Sequence, residues 1–370
     1  MKVTGSFAIY ANAAALNMAG EDTSSDLQNA TAVKFIKRGN QAYPYVSAQA
    51  WRRWLREVLY AHYGWNPTQY HAGGSGQRLY GYSDCDPIQH EDDDLFGYMA
   101  AEGKEGTLRR ISPFRCSALV ALEPVQITRD QGVLSKVVGQ SGTGVAMFNT
   151  QHYTCWMGAQ FTLDLDAAGY FECRPAGDVS LDYLQRYRNQ LGNGVWRVKH
   201  DGFVLDQQER IRRATQLLHA IARLEGGAML TRNLSDVTPQ AVLLACTRYG
   251  NAPLQGAFEV EGGRLRLNTE RLRYLKTKHF GDGLSHLILA SMPGVLHNHA
   301  EAQQLQAEGI LQLRDSIPDA LQSIAEQVEQ YYRSHPPTLH ATQDIEDLQL
   351  QQRPQARTKR LRETSEEGVL

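Results

Sequence analysis

The chain has 370 residues, enough for two domains or for one domain carrying large insertions. Hydrophobic residues make up 42% and charged residues 21%, a globular composition that excludes collagen-like and wholly disordered chains. Lys and Arg number 38 against 40 Asp and Glu, and the formal net charge of -2 excludes a uniformly basic nucleic-acid coat but not a local basic strip offset by acid elsewhere.

The five cysteines, Cys85, Cys116, Cys155, Cys173 and Cys246, form no close pair and no Cys-x-x-Cys, which argues against a disulfide framework or zinc ribbon. The first residues lack an apolar signal core, and no window reaches the ~18 apolar residues of a membrane span. A soluble cytoplasmic protein without membrane association is expected.

In chain order, residues 3–10 alternate well enough for a first strand, buried on both faces. A polar loop without periodicity covers 20–31, Val33, Phe35 and Ile36 then interleave with Lys34, Lys37 and Arg38, and Gly39-Asn40 makes a turn. Pro44 keeps the entry to the next element extended and Ser47 is a candidate N-cap. Trp51, Leu55, Val58, Leu59 and His62 then recur as the inner stripe of an amphipathic helix. Its other face carries Gln49, Arg52, Arg53 and Arg56, read either as a solvated surface with an Arg53–Glu57 pair or as an anion site. Lys34, Lys37 and Arg38 favour the anion site, because residues 31–60 then hold six basic side chains against the single acid Glu57.

Residues 64–112 change composition and read as a surface insertion, with the acidic run around Asp84, Asp86 and Glu91-Asp92-Asp93-Asp94 solvated. Gly73-Gly74-Ser75-Gly76 lacks the Lys and the leading strand of a phosphate loop. Residues 117–127 and 154–165 are expected strands. The glycine-rich piece between them, 128–152, is too polar to bury and longer than a hairpin turn needs. Met147 and Phe148 at its end either wedge between bases or begin the second strand inside the core. A second amphipathic helix spans 207–225, with Ile211, Ala214, Leu218 and Ile221 inward, Arg210, Arg212 and Arg213 on other faces, and Gly226-Gly227 as its stop. Residues 241–246 have the short apolar character of a central strand. The order suits an α+β, split ferredoxin-like sheet.

Further on, Arg264, Arg266, Arg271, Arg273, Lys276 and Lys278 make a second basic cluster, and 316–333 is a helix with Ile324, Val328 and Tyr331 inward. From Gln349 the sequence is charged and nearly free of apolar residues, so disorder is expected. His297-Asn298-His299 has no carboxylate to complete a metal set. No hydrolase or protease signature is present, and Asp22 and Asp26, in the loop after the first strand, are the one place where hydrolysis would be sought. No cofactor or metal is expected.

Asn17, the basic loop from Lys34 to Arg38, and above all Pro44-Tyr45-Val46-Ser47-Ala48-Gln49-Ala50-Trp51-Arg52-Arg53-Trp54-Leu55-Arg56 resemble the start of the Cas-seven/DevR (Cst-two-like) family, the repeated backbone subunit of type I CRISPR Cascade complexes. Residues 117–165 resemble that family's strand, thumb and strand, and 217–232 its helix and Gly-Gly turn. The resemblance implies a modified RNA-recognition-motif (ferredoxin-like) palm with a thumb β-ribbon and a finger-like insertion. On it the chain divides into palm (1–63, 113–127 and 153–250), finger (64–112), thumb (128–152), a C-terminal accessory region (251–345) and a disordered tail (346–370). It further implies crRNA contacts from Asn17, Lys34, Lys37, Arg38, Ser47, Gln49, Arg52, Arg53, Gly226, Gly227 and Arg232, with Met147 and Phe148 as the thumb wedge. Implied partners are crRNA, target DNA through crRNA, further copies of the chain, Cas-five, Cas-eight and the small Cascade subunits, with Cas-six as an additional candidate. Type III relatives cut RNA with an aspartate after the first strand, so a guide-directed ribonuclease using Asp22 or Asp26 is the alternative.

Overall fold

The computed structural model describes residues 1–21, 30–73, 80–100, 108–139, 142–173, 177–180, 183, 194–197, 202–279 and 281–339. The first part contains β1 (Lys2–Ala14), β2 (Met18–Glu21), β3 (Ala30–Val33), β4 (Phe35–Arg38), β5 (Gln41–Val46) and α1 (Ala48–Tyr63). The insertion holds β6 (Tyr70–Gly73), β7 (Tyr80–Ser83), α2 (Glu91–Phe96), β8 (Tyr98–Ala100) and β9 (Leu108–Arg110). Next come β10 (Phe114–Cys116), β11 (Leu119–Ala121), β12 (Thr128–Gly139), β13 (Gly142–Asp164), β14 (Tyr170–Glu172), β15 (Val195–Arg197) and β16 (Gly202–Leu205). The rest is α3 (Gln207–Ile221), α4 (Leu230–Asn233), β17 (Ala241–Thr247), β18 (Phe258–Glu261), β19 (Arg264–Leu267), α5 (Thr269–Tyr274), β20 (Leu287–Ser291), α6 (His299–Ala307), β21 (Leu311–Leu313) and α7 (Ile317–Ser334).

One large mixed sheet organises the α/β fold, in the order β21-β20-β17-β1-β13-β11-β5-β4. Central β1 runs antiparallel to both β13 and β17, and β20 pairs with β21 in parallel. Both faces of the sheet are covered, so β1 is buried without a break from Val3 to Ile9, Thr4 and Ser6 included, and β17 is buried along its whole length. Side chains alternate between faces. Val3, Phe7 and Ile9 join Val242 and Leu244 in one core, beneath α1, α3 and α7, while Ala8, Leu243 and Ala245 face a second core built from residues 254–311. Gly5 leaves room for a ring: a Cβ there would lie 2.2 Å from the Phe161 side chain.

Several local expectations shift. The strand expected over 117–127 is only β11, and that over 154–165 is the second half of the longer β13. Helix α3 ends at Ile221, before the Gly-Gly pair. His62 is exposed rather than part of the inner stripe of α1, and in α7 it is Tyr332 that is buried, next to half-buried Tyr331. The tail from 340 onward lies outside the described residues.

The acidic run is the largest correction. Asp86 and Glu91 to Asp94 are buried, not solvated, because partners fold onto them: arginines reach Glu91 and Asp94, and Tyr183, Tyr60 and Thr68 hydroxyls reach Asp86, Asp92 and Asp93. Asp94 ion-pairs with Arg110 through one oxygen and with Arg213 at 3.1 Å through the other, and both oxygens accept from Gly169 N at 3.1 Å. Glu91 binds Arg212 at 2.6 Å, and Asp92 accepts from Tyr60 Oη at 2.6 Å. Arg210, also expected on an outer face, donates to the carbonyls of Ala168 and Leu165 and stacks 4.5 Å over Tyr332. The insertion is therefore clamped to α1 and α3 by buried ion pairs.

Candidate nucleic-acid interface

Helix α1 starts where the sequence says it should. The Ser47 side chain accepts from Ala50 N, and Gly64, at φ 66°, closes the other end with its N–H on Leu59 O. Trp51 anchors the inner stripe, edge-on to Phe7 at 5.5 Å and Phe114 at 5.9 Å, with Nε1 donating to Ser117 O at 2.7 Å. On the opposite face Gln49 and Arg53 are exposed, and Arg53 makes a surface pair with Glu57 at 3.2 Å. Arg52 and Arg56 are different. Arg52 Nη2 donates to Phe96 O at 2.6 Å and Ser112 Oγ at 3.1 Å. Both guanidinium groups lie over the Phe96 ring, at 5.3 and 4.3 Å. Burial pulls Arg52 below the usual arginine range.

Beside the helix N-terminus lies the β4–β5 hairpin, with Lys37 and Arg38 exposed and Lys34 half-buried. Lys37 lies 5.9 Å over Phe35 and Arg38 4.6 Å over Tyr43, so flat rings support both cations. Asn17 pins this hairpin: its carbonyl accepts from Lys34 N at 2.9 Å and its Nδ2 donates to Tyr45 O at 3.4 Å. The Gly226-Gly227 turn reaches the same place from α3. Gly226 has φ 151° and sits flat on the Trp54 indole, where a Cβ would come within 2.3 Å. Ala228 N donates to Leu16 O at 3.0 Å, next to Asn17.

The ribbon joins at its base. β3 pairs with β13 at Thr31 and Thr150, and Val33 N donates to Gln151 Oε1 at 3.1 Å, just before Lys34. Arg232 stacks 4.9 Å over Phe148 and donates to Thr150 Oγ1 at 3.3 Å. Met147 is exposed, which overturns the core alternative for that residue. The pair stands well back from the end of the ribbon, since Gly132 opposes Phe148 and Val133 opposes Met147 while the strands turn near Gly139 and Gly142. Val133 and Leu134, exposed apolar residues on the partner strand, escaped the sequence reading although they sit in the same glycine-rich piece.

Asn17, the hairpin cations, the outer face of α1, the Gly-Gly turn and the ribbon base are thus gathered at one side of the sheet. An exposed basic strip with flanking exposed apolar side chains fits a polyanion whose backbone is held and whose bases are left free. Asp22 and Asp26 lie outside the described residues. No group of three or more metal-ligating side chains occurs among the described residues, and His297-Asn298-His299 instead supplies Asn298 as a brace, bonded to Leu267 N and O at 2.9 and 2.8 Å. No helix among the described residues is long and apolar enough to cross a membrane.

The family model "CRISPR-associated negative auto-regulator DevR/Csa2" matches residues 5–255. The chain belongs to the DevR/Csa2 family. Comparison with curated proteins returns no match in sequence. Among solved structures, this DevR/Csa2 chain is similar to a "CRISPR RNA-guided surveillance complex" chain, with a TM-score of 0.52 at 14% identity, over 88% of this chain and 99% of that one. It is also similar to a "CRISPR RNA-guided surveillance complex, pre-nicking" chain, with a TM-score of 0.53 at 12% identity, over 89% of this chain and 100% of that one. At these identities the likeness speaks to the fold.

Proposed function

We propose that this DevR/Csa2 protein is a non-catalytic backbone subunit of a type I CRISPR Cascade effector. Copies of it line the spacer of a crRNA through phosphate and ribose contacts and present the bases for pairing with target DNA in antiviral defence. The gathering of Asn17, the β4–β5 cations, Gln49 and Arg53, the Gly-Gly turn and Arg232 at the ribbon base is the observation that carries this reading. An RNA-recognition-like palm is part of it, supported by the strand order β17-β1-β13-β11 with α1 and α3 as the crossovers. In this proposal β12 and β13 form the thumb and residues 64–112 the finger. Lys34, Lys37, Arg38, Gln49, Arg53 and Arg232 hold phosphates and riboses, Ser47 and the two glycines shape the cradle, and Met147 and Phe148 flank a base. Further copies, Cas-five, Cas-eight, the small subunits and Cas-six are the proposed neighbours in the cytoplasm.

The test is purification with and without a co-expressed CRISPR array, reading the 260 to 280 nm absorbance ratio and sequencing the bound nucleic acid. Repeat-flanked guides in a large regular particle are expected. The Lys37→Ala, Arg38→Ala, Arg53→Ala triple variant should weaken binding for every guide and flatten the log affinity against log salt slope by about 2, at about 0.7 per lost single-strand phosphate contact. An unchanged slope, or weakening for some guides only, removes the cradle. Magnesium-dependent cutting of complementary RNA would overturn the non-catalytic assignment and return attention to Asp22 and Asp26.

A further inference from the structure

A second surface interleaves aromatic and basic side chains at the other end of β1. Tyr274 ends α5, and the π-helical turn Leu275–His279 that follows brings His279 parallel to it, with ring centroids 6.0 Å apart and 22° between planes. Lys276 Nζ donates to the carbonyls of Gly281 and Leu284, and Arg248 N donates to Gly283 O at 3.1 Å. Those bonds hold the end of β17 against the turn. The Tyr249 ring lies over Gly283, where a Cβ would approach it within 2.6 Å. Tyr274 is 58% exposed and Tyr249 41%, and Arg248, Arg271 and Lys278 are exposed around them, with Glu270 as the exposed acid on the same short helix. Thr247 pairs with Lys2, whereas the ribbon base pairs Tyr153 with Ala14, so the length of β1 separates the two surfaces by roughly 40 Å.

We infer that this surface binds single-stranded nucleic acid, with Tyr274 and its neighbours as a stacking platform and Arg248, Arg271 and Lys278 on the phosphates. Two sources share this chemistry, a DNA strand displaced from a target duplex and an RNA strand.

The experiment loads the assembled protein with guide RNA, confirms loading by absorbance, and titrates fluorescein-labelled dT15 and U15 by anisotropy across salt. Binding of one or both is expected, and preference for dT15 identifies displaced DNA while preference for U15 identifies RNA. Tyr274→Ala should weaken binding at least about fivefold with an unchanged salt slope, and Tyr274→Phe should not. Arg248→Ala with Lys278→Ala should lower the slope by about 1.4. Guide loading should be unaffected by all of these. If no guide loads, the same titration on the Lys37→Ala, Arg38→Ala, Arg53→Ala protein still reads this surface, so its fate is separate from that of the proposed guide cradle. Absence of oligonucleotide binding, or equal binding by Tyr274→Ala, overturns the assignment.

Discussion

Arg52 and Arg53 are neighbours with opposite environments, and the difference is measurable. Arg52→Ala removes donors to Phe96 O and Ser112 Oγ and packing on the Phe96 ring, so it should lower stability by about 1–3 kcal/mol in a denaturant titration. Arg53→Ala breaks only a surface pair and should leave stability within about 0.5 kcal/mol while lowering the salt slope of RNA binding by about 0.7. The sequence placed both on one polar face, because helical period reports direction but not what stands opposite, and Phe96 is 44 residues away. Asp93 is a second case. Burial pushes its carboxyl up to about 6, while Asp86 N and Thr68 Oγ1 donate to it. Its folded pKa stands above the unfolded value of about 3.9, so the folded state binds the extra proton and stability falls as pH rises from about 4 to about 6. Asp93→Asn keeps an acceptor without the charge. Relative to the parent protein, its melting temperature should fall less between pH 4 and 7, by the equivalent of roughly 2 kcal/mol; parallel pH profiles would remove this assignment.

Elements were legible where their signals are local. α1 declared its cap at Ser47 and its stripe from Trp51 to Leu59, and β17 its apolar run, whereas the closing Gly64 went unread. The insertion was not legible, since four acids in a row read as solvated until arginines from 110, 212 and 213 are folded onto Glu91 and Asp94 and the Tyr60 and Thr68 hydroxyls onto Asp92 and Asp93. That clamp is tested by Asp94→Ala, which takes one carboxylate from Arg110 and Arg213, each side chain no more than 3% exposed, and leaves Arg110 on Asp178 at 3.2 Å and Arg213 on Glu209 at 2.7 Å. A loss of about 1–3 kcal/mol is expected by denaturation, and a loss under about 0.5 would mean the Asp94 pairs are not what fixes the insertion. The Gly-Gly turn was noticed as a stop for α3, but its position against Trp54 is a tertiary fact. Gly226→Ala drives a Cβ into that indole at a φ that side chains avoid, so it should destabilise the protein by about 2 kcal/mol or more and weaken guide binding, whereas Gly262→Ala, in open space, should touch stability through its φ alone.

At the scale of the molecule, the sheet is one object although the sequence match covers only part of it. The family model stops at 255, and the resemblance seen in the sequence fades near 250 because the later segments carry no motif, only alternation and amphipathic stripes. Yet β20 pairs with β17 along Ala241–Ser291 to Leu244–Ile288, β21 extends that edge, and α7 recrosses to pack on α3. Tyr332 fixes the return, with its Oη on Leu165 O at 2.9 Å and its carbonyl accepting from Gln207 Nε2 at 2.6 Å. A chain ending at 255 would leave both faces of β17 and the inner face of α3 open to water, Leu243 and Leu289 losing each other on one side and Leu217 and Leu218 losing the α7 stripe of Leu321, Ile324 and Val328 on the other. Residues 1–255 should therefore aggregate or melt without cooperativity, while residues 1–339 should give a single cooperative transition by circular dichroism. A cooperative, monomeric 1–255 would show instead that the first core suffices and that the later segments are an attachment.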